Sequence, residues 1–380
     1  MNDSRKKILY VHHSGLLAGA PKSLSYIIEN IDHEIYDAKL INIENGNVND
    51  FFKKLNIDFE KVNGIRPFHG STVVKKSTKL FIRNWFFLIP SVFRANKLIK
   101  KTKPDLIHLN STCLFAFAIA AKWNKVKTIC HVREPIRKGF FWGAPLRFFS
   151  KNYIQAFISI CQNDLDSLRL PKKHSKKVEV IYNFVDKFKK EEEQNNDFRN
   201  ELGLDNSDVV FLYLARFSES NGWKFLLQQA EQITLKNKNY HFVLVGAQND
   251  GVVSLTKNPN IHILRFRNDI DKVFQSSDIF VCPFIEPHFA RGVIEASAQG
   301  LPIIANDIGG VNELVIPNET GYLYKNETQF QEFCEKLGED KIKRQKMGEK
   351  GIKLAKKDFN ITNNLKKTFD FYKEVLKDKV

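Results

Sequence analysis

The sequence predicts an α/β protein built from two doubly wound parallel sheets, and three observations predict it. The chain has 380 residues, more than one ordinary core organises, so two domains of roughly 150 to 200 residues with a cleft between them are expected. Short apolar, β-rich runs alternate with helical patterns throughout, the pattern of parallel βαβ architecture. A charged stretch without strand character, Asp186 to Asp208, separates two sets of these runs.

In the first set the strand candidates are Lys7 to Val11, Lys39 to Ile43, Leu106 to Leu109, Thr128 to Val132, Phe157 to Ile160 and Val178 to Ile181. In the second they are Val209 to Leu214, Phe242 to Val245, Ile261 to Leu264, Ile279 to Cys282 and Pro302 to Ala305. The helix after the first strand carries Leu24, Ile27, Ile28 and Ile31 on one face, and the helix after Val209 to Leu214 turns Leu226, Leu227, Ala230 and Ile233 inward. The middle stretch, with Glu191, Glu192, Glu193 and Gln194, reads as a linker plus a surface helix. Gln329 to Val380 is lysine-rich and helical, with Phe369, Tyr372 and Leu376 at three- and four-residue spacing. It could pack on either domain. The expected division is residues 1–185, a linker over 186–208, a second domain over 209–360 and a C-terminal helix over 361–380.

Hydrophobic residues make up 43% and charged residues 27%, as in soluble globular proteins, and no apolar run reaches the roughly 18 to 20 residues of a membrane span. Met1 to Lys7 is polar and leads directly into a strand, unlike a signal peptide, so a cytoplasmic protein is expected. The cysteines Cys113, Cys130, Cys161, Cys282 and Cys334 lie far apart without metal-like spacing and read as reduced core residues. Net charge is +16, and its distribution matters more than its size. From Lys61 to Pro104 there are eleven Lys or Arg and no acidic residue, around an apolar centre of Trp85, Phe86, Phe87, Leu88 and Ile89. Such a segment can dock on anionic lipid headgroups at the inner face of the cell membrane, or be a solvated face over a buried stripe. No helix-turn-helix, finger or RNA-binding signature accompanies the charge, so nucleic acid is not an expected partner.

Four loops could carry chemistry. His12 to Ala20, with Gly15 and Gly19, lies between a strand and a helix, where glycines let backbone amides approach a ligand; it could equally be a plain tight turn. Arg216 follows the strand Val209 to Leu214, at the carboxyl end where open α/β sheets bind ligands, and a guanidinium there can neutralise a diphosphate bidentately. Glu286 to Ala296 is a loop running into a short helix that carries Glu295, whose carboxylate can accept two ribose hydroxyls; a surface glutamate is the plain alternative. Gly309-Gly310 after the strand ending at Ala305 would enter another helix as an anion-receptive turn.

In their order and spacing these motifs resemble the family 4 glycosyltransferases of GT-B fold, over nearly the whole chain. Val180 to Asp186 is similar to the family's "VIxNGVD", Ser277 to Pro283 to "aaDvfvxPS", Glu295 to Pro302 to "EAxAxGxP" and Gly309 to Glu313 to "GGxxE". Gly19 to Leu24 resembles "GGAExxL", and Lys103 to His108 resembles "kPDvvH". The resemblance implies two facing Rossmann-like domains, the first for the acceptor and the second for a nucleotide sugar. It also implies retention at the anomeric carbon and no metal cofactor, with cations stabilising the departing diphosphate. Asp164/Asp166 and Asp269/Asp271 are Asp-x-Asp strings that follow no strand end and read as helix-surface coincidences.

Carried over position by position, Arg216 matches the diphosphate-binding arginine, Glu295 the ribose-binding second glutamate of an E-x7-E motif, and His131 a histidine against the transferred sugar. Gly19, Arg291, Gly292, Gly309 and Gly310 complete the nucleotide-sugar set. Two positions depart from the family pattern. The lysine that pairs with the arginine falls on Asn221, leaving Lys224 three residues on as its substitute. The first glutamate falls on Pro287, whereas Glu286 stands nine residues before Glu295. A one-residue bulge would restore Glu286 to the catalytic set, or His288 and Arg291 take over sugar recognition. The leading expectation is a membrane-associated enzyme that moves a sugar from a nucleotide donor to a lipid-linked glycan or surface-polysaccharide precursor. A non-catalytic partner or chaperone of such an enzyme, and a sugar-nucleotide epimerase, are the alternatives.

Overall fold

The computed structural model describes residues 5–71, 77–172, 174–189 and 197–377. Within the sequence features above, Lys75, Lys76, Glu191, Glu192, Glu193 and Gln194 lie outside the described residues. The chain divides into two compact units, Met1–Asn183 with Thr362–Val380, and Phe184–Ile361.

In the first unit the elements run β1 (Lys6–His12), α1 (Gly19–Glu29), β2 (Tyr36–Asn42), α2 (Asn47–Lys54), β3 (Phe59–Lys61), α3 (Thr78–Phe86), α4 (Leu88–Thr102) and β4 (Leu106–Leu109). Next come α5 (Phe115–Trp123), β5 (Lys127–Val132), α6 (Phe140–Tyr153), β6 (Ala156–Ser159), α7 (Gln162–Ser167) and β7 (Lys177–Val180). Seven parallel strands lie in the order β3-β2-β1-β4-β5-β6-β7. Parallel strands covered on both faces read as continuous apolar runs, and β4 and β6 are buried along their whole length. Phe115 stacks on Phe149 at 4.1 Å beneath the sheet, which joins α5 to α6.

The second unit contains α8 (Asp197–Glu201), β8 (Val209–Leu214), α9 (Trp223–Lys236), β9 (Tyr240–Ala247), α10 (Asp250–Val253), β10 (Ile261–Arg265), α11 (Ile270–Gln275) and β11 (Ile279–Cys282). These are followed by α12 (Arg291–Ala298), β12 (Ile303–Asn306), β13 (Gly321–Tyr324), α13 (Glu327–Glu339) and α14 (Lys341–Asp358). Its six strands are ordered β10-β9-β8-β11-β12-β13. The last helix, α15 (Ile361–Lys377), rejoins the first unit: buried Tyr372 holds His108 Nδ1 at 2.5 Å, and Lys127 Nζ donates to the Leu376 carbonyl at 2.6 Å. Its core face is Leu365, Thr368, Phe371, Tyr372 and Val375, and of the spaced Phe369, Tyr372 and Leu376 only Tyr372 is buried.

Helix α8 lies at the surface, with Asp197, Asn200 and Glu201 exposed, and is anchored there by buried Arg199, which ion-pairs with Asp278 at 2.6 Å and donates to the carbonyls of Ser276, Asp205 and Asp208. Asp164 is fully buried rather than on a helix surface, whereas Asp269 is bound bidentately by Arg267 outside the core.

The basic segment folds as α3 and α4, broken at Phe87. Ile82, Trp85, Phe86, Ile89 and Phe93 are exposed, Phe86 at 74% and Phe93 at 61%. The exposed ring of Trp123 on α5 lies 6.1 Å from that of Phe93. Lys79, Arg83, Arg94, Lys97, Lys100 and Lys101 are exposed on the same two helices. Among the described residues no helix is long and apolar enough to cross a membrane.

Candidate functional site

In the second unit the chain leaves β8 toward β9 and β10 on one side and returns to β11, β12 and β13 on the other. The carboxyl ends of β8 and β11 therefore flank the switch point where open α/β sheets bind ligands. Arg216 stands there, exposed, two residues past β8. Its own carbonyl collects three donors, Ser218 N at 2.8 Å, Asn221 Nδ2 at 2.9 Å and Tyr213 Oη at 3.2 Å. The loop is thereby wound tightly around the residue whose side chain faces solvent. Asn221, at the position expected to carry a lysine, is buried and acts as a fastener of this turn. Gly222 closes it at φ +69°, where a Cβ would stand 1.8 Å from the Pro283 carbonyl oxygen, so only glycine lets the β8 loop press on the β11 loop.

The β11 loop is clamped in turn. Ser220 O accepts from the amides of Ile285 and Glu286 at 3.0 and 3.3 Å, and Asn306 Nδ2 donates to Phe284 O at 2.9 Å. His288 stacks on Phe284 with ring centroids 4.5 Å apart, and its Nδ1 lies 2.7 Å from the Glu286 carbonyl oxygen. Gly310, at φ +83°, brings the β12 loop onto His288, whose carbonyl carbon would be 2.8 Å from an added Cβ. Gly309 and Gly310 lead only into a 3-10 turn, Asn312–Leu314. The expected anion-receptive helix N-terminus is absent there, because Asn312 Nδ2 bonds Asp307 and the segment then leaves for β13.

Helix α12 begins at Arg291, whose Nε donates to Glu295 Oε1 at 2.7 Å while Nη2 lies 3.4 Å from the Phe184 carbonyl oxygen. Gly292 packs this helix against β8 and β11, since a Cβ would lie 2.8 Å from the Phe280 ring and 3.2 Å from Leu214 O. Glu295 keeps its carboxylate partly exposed beside that arginine. Glu286 is exposed and contributes its backbone to the loop. Lys224 is exposed on α9, 3.7 Å from Glu219 and over the Trp223 ring.

In the first unit the switch point falls between β1 and β4. Gly19 opens α1 there and is exposed. Asn110 Nδ2 meets His12 Nδ1 at 3.0 Å, and Asn110 Oδ1 accepts from Arg133 Nε at 2.8 Å. The Arg133 guanidinium also meets Asn183 Oδ1 at 3.3 Å and His131 Nδ1 at 3.2 Å, and Ser23 Oγ reaches the same Asn183 oxygen at 3.2 Å. The group presented past β5 is thus Arg133, which sequence reasoning missed although a cation one residue beyond a strand end was the available signal. His131, expected against the transferred sugar, is 5% exposed, with its ring packed 5.4 Å from the His108 ring. Burial, reinforced by Arg133, holds its pKa well below the usual imidazole value, so the ring stays neutral and its Nδ1 accepts from Arg133. Burial likewise pushes His108 down to about 3 and holds His12 well below the ordinary value.

Among the described residues no group of three or more His, Cys, Asp or Glu is placed to hold a metal ion. Two family models match the chain, "Glycosyltransferase Family 4" over residues 59–187 and "Glycosyl transferases group 1" over residues 194–354. Similar proteins include the Escherichia coli UDP-Gal:alpha-D-GlcNAc-diphosphoundecaprenol alpha-1,3-galactosyltransferase, 26% identical over 84% of each chain. The Staphylococcus aureus capsular polysaccharide biosynthesis glycosyltransferase CapM is 22% identical over 87% of this chain and 93% of its own. Among solved structures, Anabaena HepE in complex with UDP superposes with a TM-score of 0.79 at 19% identity, covering 97% of this chain and 100% of that one. TarM follows at a TM-score of 0.72 and 12% identity, with both chains fully covered.

Proposed function

From its place among the family 4 glycosyltransferases of GT-B fold, to which the chain belongs, we propose that this protein moves a sugar from a nucleoside diphosphate donor to a lipid-linked glycan or surface-polysaccharide precursor. The observation that carries the donor half is Arg216, a solvent-facing cation held by a turn locked through its own carbonyl, at the β8–β11 switch point. A guanidinium so placed neutralises the charge that develops on a departing diphosphate without reorganising during the reaction. Glu295 supplies carboxylate oxygens for the ribose hydroxyls and is held in orientation by Arg291. Transfer with retention and without a metal cofactor belongs to the same reading, and rests on the family resemblance.

For the acceptor half, two similar proteins carry diphosphoundecaprenol acceptors in their names, from Escherichia coli and Campylobacter jejuni. The exposed aromatic and basic faces of α3 and α4 supply the matching chemistry here. Cations attract anionic headgroups while Phe86, Ile89 and Phe93 enter the interface. On this reading the enzyme works peripherally at the inner face of the cell membrane, beside a lipid-borne acceptor.

Asn221 at the lysine position favours one second reading, a non-catalytic partner that retains the fold. A thermal-shift and turnover screen over UDP, GDP, ADP and their sugar conjugates separates the two. The donor reading expects one nucleotide to stabilise the wild type and Arg216→Ala to abolish that response. A wild type indifferent to every nucleotide refutes it in favour of the partner reading.

A further inference from the structure

His288 is held closely in its loop at the β8–β11 switch point. Its ring lies 16° from parallel with Phe284, its backbone is pressed by Gly310, and the segment before it is tied to Ser220. Nδ1 sits 2.7 Å from the Glu286 carbonyl oxygen, an atom that can only accept, so Nδ1 carries the ring's proton. In the neutral ring Nε2 is then a bare lone pair. It has no hydrogen-bond partner among the described residues, and it is not one of the buried polar atoms left without one, so it is not sealed inside the core. Burial is the largest cause keeping the ring neutral, lowering its pKa, and Arg216 adds to it; the Glu286 carbonyl and carboxylate act the other way without reversing it.

Building on the donor reading above, we propose that His288 recognises the sugar half of the donor, its Nε2 accepting a hydrogen bond from a sugar hydroxyl while Arg216 holds the diphosphate. A fixed lone pair repels phosphate oxygens, which at neutral pH only accept, and attracts an O–H. The assignment also unites the two departures from the family pattern. With Asn221 fastened into the turn, Arg216 is the cation this loop offers, and a carboxylate beside it would offset its charge. A neutral imidazole provides the acceptor and leaves that charge intact.

The experiment compares nucleotides with and without the sugar: UDP against UDP-glucose, GDP against GDP-mannose and ADP against ADP-glucose, titrated by calorimetry into wild type, His288→Phe and His288→Gln. Phenylalanine keeps the stack on Phe284 and removes the acceptor, whereas Gln places an amide oxygen near the position of Nε2. For the pair that the wild type binds, His288→Phe is expected to weaken the sugar nucleotide about fivefold to tenfold, the worth of one hydrogen bond, while the bare nucleotide shifts less than about twofold. His288→Gln recovers most of the loss. Equal weakening of both ligands, no weakening of either, or a Gln variant no better than Phe overturns the assignment of His288 and leaves the donor reading standing. A wild type that binds none of the six ligands overturns both.

Discussion

Acidification should unfold the first unit well before a typical carboxylate-driven acid transition, and the reason lies in four rings. His12, His13, His108 and His131 all have pKa values lowered by burial, His13 and His108 to about 3. In the unfolded chain each returns to about 6.5. Below that value the unfolded state binds protons that the folded state refuses, so stability is full above the unfolded pKa and is lost as pH falls toward the folded ones. Between pH 7 and 5.5 each ring costs about 1.2 kcal/mol, and the four together about 5 kcal/mol, against a usual domain stability of roughly 5 to 15. Three of the four tryptophans, Trp85, Trp123 and Trp142, lie in this unit and Trp223 in the other, so a Trp223→Phe chain reports the first unit by fluorescence. Urea melts at pH 7.0 and 5.5 should differ by about that amount, and His131→Phe should remove about a quarter of the difference. Imidazole proton resonances of the four rings that titrate near 6.5 in the folded protein, or melts that coincide at the two pH values, would refute the reasoning.

Two further outcomes follow from the site and the surface. Asn221→Lys, which restores the family residue, should lower stability by about 1 to 3 kcal/mol, because it removes a donor from the Arg216 carbonyl and places an ammonium in a buried position. It should not tighten nucleotide binding; tighter binding with an unchanged melt would show that Asn221 is no fastener. Wild-type protein should sediment with phosphatidylglycerol vesicles in a salt-sensitive manner, and Phe86→Ser with Phe93→Ser should weaken this about tenfold or more with little change in Tm, since both rings are exposed. Equal sedimentation of the two proteins would remove the lipid surface from the proposed function.

Strands whose apolar runs are covered on both faces were legible in the sequence to within a few residues. Leu106–Leu109, Val209–Leu214 and Ile279–Cys282 fall where the composition puts them. Two strands escaped for opposite reasons. Phe59–Lys61 is three residues long with two charges, so it shows no apolar run. Gly321–Tyr324 starts on a glycine that reads as a turn, although an added Cβ there would lie 2.1 Å from Ile303 O and the small residue is what lets β13 pair. At the site, what was legible is placement: Arg216 two residues past β8 and Glu295 on the short helix α12. What spacing could not show was which loops meet. The bond from Asn221 to a carbonyl five residues earlier, and the meeting of Arg133, Asn110, Asn183 and Ser23, become visible only once the strand order is known.

Helix α15 gives this chain an order of assembly. Tyr372, which closes over His108, is made 189 residues after Asn183 ends the first stretch of the same unit. At roughly 5 to 20 residues per second on the ribosome, the nascent sheet of the first unit waits on the order of 10 to 40 s, with its β4 histidine and Tyr10 uncovered, while the second unit emerges and can fold. The half that starts first finishes last. A ribosome stalled inside the second unit therefore leaves an exposed, incomplete sheet, the kind of surface a holdase binds.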